Sequence, residues 1–112
     1  MAGKDETVVI EMEALVGLPM ATRDRIHIEA GSIPDLVPGG MVESILLVQN
    51  TGQDMLSILV EAEATDGVSI GVSKKFDLFG FDAVKLIVTF TAPKDLTPGK
   101  KVGVTYRVYE DA

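Results

Sequence analysis

The chain has 112 residues, of which 46% are apolar and few are aromatic, and its formal charge is −7. That length allows one domain with one core and is too short for two. The acidic balance argues against nucleic acid and anionic lipid as partners, since both need a basic footprint; the lack of Cys excludes disulfides and thiolate metal sites.

In chain order, the polar start from Met1 to Glu6 carries no signal-peptide pattern and reads as a disordered tail on a domain spanning 7–112. Seven runs then alternate or are β-branched, each bounded by turn residues. Thr7 to Leu15 places Val8, Ile10, Met12 and Ala14 on one face, with Glu11 and Glu13 opposite. A break at Gly17-Leu18-Pro19 precedes Arg25 to Glu29, and Pro38-Gly39-Gly40 opens a run from Met41 to Gln49. Asn50 to Asp54 is a turn before Met55 to Ala64, and Asp66-Gly67 is a tight hairpin signal into Val68 to Val72. Val84 to Thr91 and Lys101 to Tyr109 complete the set, joined by a loop containing Pro93, Pro98 and Gly99.

The apolar sets Leu56/Ile58/Val60/Ala62, Val84/Leu86/Val88/Phe90 and Val102/Val104/Tyr106/Val108 repeat every second residue, as pleated backbone requires. Short strands at about ten-residue spacing, separated by Gly and Pro turns, predict an all-β chain. The expected fold is a single immunoglobulin-like antiparallel β-sandwich of about seven strands. No run approaches the ~18 apolar residues of a membrane-spanning helix, so no direct membrane insertion by this chain is expected.

Pro38 to Gly52 resembles the strand-B region of CARDB-like modules and their fibronectin-type relatives in bacterial and archaeal surface proteins. The core-facing residues there would be Val42, Leu46 and Val48, with Ser44 the misfit. Thr91 to Gly99 is similar to the loop before strand F of the same modules. The resemblance covers Val37 to Tyr109 and departs at Lys101 and Val102, where relatives often carry a corner tyrosine. It implies a spacer, adhesion or appendage role at an extracellular or cell surface.

Three features bear on function. Ile45, Leu47, Leu59 and Ile87 alternate with the inward set and should point outward, where an antiparallel sheet normally shows water polar residues. A contiguous apolar patch would call for a protein partner or a homo-oligomer, unless the chain between Leu15 and Pro38 folds over it. Lys74 to Asp82 holds Phe76, Phe79 and Phe81 between two strands, either as a binding anchor on a loop or as lids on the open end of the sandwich. The first strand either joins its own sandwich or inserts into a neighbouring subunit.

Catalytic and metal chemistry finds no support. Glu11/Glu13 and Glu61/Glu63 are i, i+2 pairs on strand faces, as solvated faces require. His27 alone makes neither a zinc site nor a triad, and the Asp66-Gly67 turn lacks spaced calcium ligands. No cofactor is expected. The reading is a non-enzymatic interaction or structural module; the alternative is a carbohydrate- or ligand-binding accessory module, weakened because the chain has no Trp and only Tyr106 and Tyr109.

Overall fold

The computed structural model describes residues 8–13, 20–23, 25–97 and 102–110, all in strands and their connections. The strands are β1 (Val8–Glu13), β2 (Met20–Arg23), β3 (Ile26–Ala30), β4 (Met41–Asn50), β5 (Leu56–Ala64), β6 (Ser69–Gly71), β7 (Lys75–Leu78), β8 (Ala83–Thr91) and β9 (Gly103–Glu110). Seven coincide with the runs marked in the sequence; the short strands β2 and β7 are additions. The polar start, 1–6, lies outside the described residues.

Two antiparallel sheets face each other, one in the order β1-β9-β5-β7 and the other β2-β3-β4-β8-β6. The chain is an all-β sandwich. The order β3-β4-β8-β6 against β5-β9 reproduces the first-second-fifth-fourth against third-sixth strand arrangement of immunoglobulin-like sandwiches. The last-strand place beside β9 belongs to β1, with Val8 opposite Val108 and Glu13 opposite Gly103. The first strand therefore joins its own sandwich, in the position where such folds put their final strand.

Alternation explains the layering. Ile26 and Ile28 of β3, Leu46 and Val48 of β4, Ile58 of β5, Val88 and Phe90 of β8 and Tyr106 and Val108 of β9 are fully buried between the sheets. Each contributes roughly 1.5–3 kcal/mol relative to an exposed position. Ser44, the apparent misfit, is buried as well. Its hydroxyl donates to the carbonyls of Gly31 (3.1 Å) and Ser32 (2.9 Å), so the segment beyond β3 is tied to β4 and the inward hydroxyl is satisfied.

From β4 onward every connection changes sheet. This corrects the hairpin expected at Asp66-Gly67. Both residues have positive φ (61° and 76°), as a tight turn of this type demands. Yet β5 and β6 do not pair: β6 joins β8 in the other sheet, because Val68 after the turn is drawn into the core. The strand β6 covers only Thr89 to Thr91 of β8, and the chain then crosses to pair β7 with β5. Among the described residues, Ala83 to Val88 of β8 have no strand neighbour on that side.

Candidate interaction surface

The outer face of the five-stranded sheet carries the apolar side chains expected there. Ile45 and Ile87 are direct cross-strand partners, 44% and 57% exposed. Leu47, half-buried, sits two residues along β4 opposite Lys85, and Met41 near the far end of β4 is exposed. Leu59 does not join them. It belongs to β5 in the other sheet, half-buried between Tyr109 and Lys75 in the ladder, so the expected set of four divides into three on one face and one on the opposite face.

The segment from Leu15 to Pro38 does not cover Ile45 and Ile87 where it is described. It continues along the sheet, Gly31 N–H donating to the Ile45 carbonyl at 2.7 Å, and it sends Ile33 into the core. Residues 14–19 and 24 lie outside the described residues.

The aromatic segment divides too. Lys75–Leu78 is a strand, not a loop, and Phe76 packs half-buried against the core beside buried Leu78. Phe79 and Phe81, by contrast, are 68% and 70% exposed at the end of the sandwich. They do not act as lids. Phe81 adopts φ 61°, a left-handed conformation that is costly for a bulky residue, and burial does not compensate for it.

Asn50, fully buried at the end of β4, holds this loop in place. Its amide donates to the carbonyls of Asp54 (2.7 Å), Leu78 (3.2 Å) and Phe79 (3.2 Å), and its side-chain oxygen accepts the Gly52 N–H at 3.0 Å. The Phe81 N–H donates to the Gly52 carbonyl, so the loops 51–55 and 79–82 form one hydrogen-bonded unit. Gly80 lies against the Gln53 backbone with no room for a Cβ. Met55 in the same unit is exposed. In the sequence Asn50 opens a turn, and its place two positions before Gly52 is the local sign of a side chain closing on its own backbone.

The carboxylates lie on solvated faces. Glu61 accepts from the Tyr109 hydroxyl at 3.0 Å and Glu63 from Arg107 at 3.2 Å, both on the outer face of the four-stranded sheet. His27 Nε2 and Glu29 Oε2 are 2.9 Å apart on the other outer face. The side chains of Glu11 and Glu13 lie outside the described residues. Among the described residues no three His, Asp or Glu side chains gather around a common point suited to a cation. Of the two tyrosines a sugar platform would use, Tyr106 is fully buried and Tyr109 is half-buried and hydrogen-bonded to Glu61.

Among the described residues no helix is long and apolar enough to cross a membrane. No family model and no curated protein matches the chain. Among solved structures, the chain is similar to envelope protein VP37 from White Spot Syndrome Virus. The two superpose with a TM-score of 0.52 at 14% identity, over 95% of this chain and 97% of that one. At that identity the likeness is one of fold.

Proposed function

We propose that this chain is a non-catalytic protein-interaction module that works at a surface and buries the outer face of its five-stranded sheet against a second protein or a second copy. The exposed Ile45–Ile87 pair carries this reading. Two β-branched apolar side chains directly opposite each other on an open sheet, with Leu47 beside them, form a cluster where water-facing residues are normally polar. The strand pair under them is the nine-residue β4–β8 ladder, from Met41↔Thr91 to Gln49↔Ala83. The envelope setting named for the VP37 chain accords with a surface address.

Sedimentation velocity across a wide concentration range tests the self-association arm. The wild type associates as concentration rises, and Ile45→Ser/Ile87→Ser remains monomeric with its thermal midpoint nearly unchanged. A wild type that stays monomeric at millimolar concentration removes that arm. Proximity labelling in the native host that recovers no protein dependent on Ile45 and Ile87 would then remove the interaction reading as well.

A further inference from the structure

The geometry points to a peptide-binding edge: β8 between Ala83 and Val88 takes an extended segment of alternating apolar and acidic residues as an added strand. This deepens the interaction-module reading by naming a partner chemistry, and it rests on that reading only in that the chain binds protein.

Register sets which groups are offered. The Asn50 N–H donates to the Asp82 carbonyl at 2.9 Å, so the even-numbered residues of β8 hydrogen-bond to β4 and the odd-numbered ones face the other edge. Thr89 and Thr91 use those groups on β6. The Ala83 N–H is capped by the Asp82 carboxylate at 2.9 Å. Lys85 and Ile87 are left with their N–H and C=O groups aimed along the open edge, an arrangement that templates strand addition.

A cleft of about 400 Å³ opens beside that edge, where β7 and β8 diverge in opposite sheets. Phe76, Leu78, Val84 and Leu86 line it with apolar surface, which suits alternate inward side chains of an added strand. The outward positions of that strand would lie next to Lys85 and Ile87. Lys85 is exposed and meets no hydrogen-bond or ion-pair partner among the described residues. The carboxylates near the cleft are engaged internally, Asp77 by the Ser57 hydroxyl at 2.8 Å and Asp82 by Ala83. The Lys85 ammonium favours an acidic residue directly across the ladder, a local attraction that works against the overall charge of −7. A second copy added edge to edge would bring both Lys85 side chains together near the two-fold axis, where like charges oppose pairing.

The test uses the full chain and two capped eight-residue peptides, one alternating valine with glutamate and one alternating valine with lysine. Fluorescence anisotropy at about 0.15 M salt, where the overall charge is screened, is expected to show binding of the glutamate peptide about threefold tighter than the lysine peptide, and Lys85→Glu reverses the order. Lys85→Pro removes an edge N–H that the β4 ladder does not use, and abolishes binding; the Lys85→Glu reversal carries the test if that variant fails to fold. Amide shifts at Lys85 and Ile87 accompany binding, and Ile45→Ser leaves the affinity unchanged. No binding, equal affinity for both peptides, or shifts confined to Phe79 and Phe81 overturns the inference and leaves the sheet-face reading standing. A β8-to-β8 dimer of the free chain also overturns it. Loss of association on Ile45→Ser, at a residue of β4 away from that edge, tests the face alone.

Discussion

Two buried polar side chains set opposite expectations at the residue scale. Asn50 satisfies three carbonyls and one N–H from a fully buried position. Asn50→Ala leaves those groups without partners and is expected to cost about 3 kcal/mol, read by urea unfolding at constant slope. Tyr106 is the reverse case: its hydroxyl is buried with no hydrogen-bond partner among the described residues. Tyr106→Phe removes a polar group without breaking a bond, so stability is expected to hold or rise by about 1 kcal/mol. Burial also pushes the Tyr106 phenol above its usual value. The folded chain keeps that proton after the unfolded chain has released it, so stability is unaffected below about pH 10 and falls as pH rises above it. Denaturation midpoints at pH 9 and pH 11 should drop in the wild type more than in Tyr106→Phe.

At the scale of elements, the loop 79–82 gives a prediction of its own. Phe81 is exposed and held at positive φ, so its side chain adds little to the fold while its backbone carries strain. Phe81→Gly should match or exceed the parent stability, by up to about 1 kcal/mol in thermal or chemical unfolding, since glycine adopts that conformation freely. A clear loss would show that the ring packs in solution. Strands long enough to alternate were legible in the sequence because burial on one face writes itself into every second residue, as in β4, β8 and β9. The strand β7 was not: in four residues, Lys75 to Leu78, only Phe76 and Leu78 carry the period. The turn at Asp66-Gly67 was legible, but not its outcome. Turn chemistry is local, whereas the sheet that β6 joins is decided by Val68 and by a partner, β8, about twenty residues away. The same limit hid the separation of Leu59 from Ile45, Leu47 and Ile87, since alternation says which residues face outward and not which sheet they face outward from.

For the whole molecule, charge and apolar surface act against each other. Mutual repulsion at a charge of −7 keeps copies apart near neutral pH, and it fades toward the isoelectric point of about 4.5. Light scattering during titration from pH 7 to pH 4.5 should therefore show growing association, reduced in Ile45→Ser/Ile87→Ser and opposed by low salt at pH 7, where repulsion is least screened. The place of β1 beside β9 bears on biosynthesis. Val8 meets Val108, a partner that emerges roughly 100 residues later, on the order of 5–20 s at ordinary rates of translation. Throughout that interval β1, four of whose six residues are apolar, has no strand partner in its own sheet. Until then β1 is open to capture by holding chaperones or by the β9 segment of a neighbouring chain, so synthesis itself delays the β1–β9 pairing.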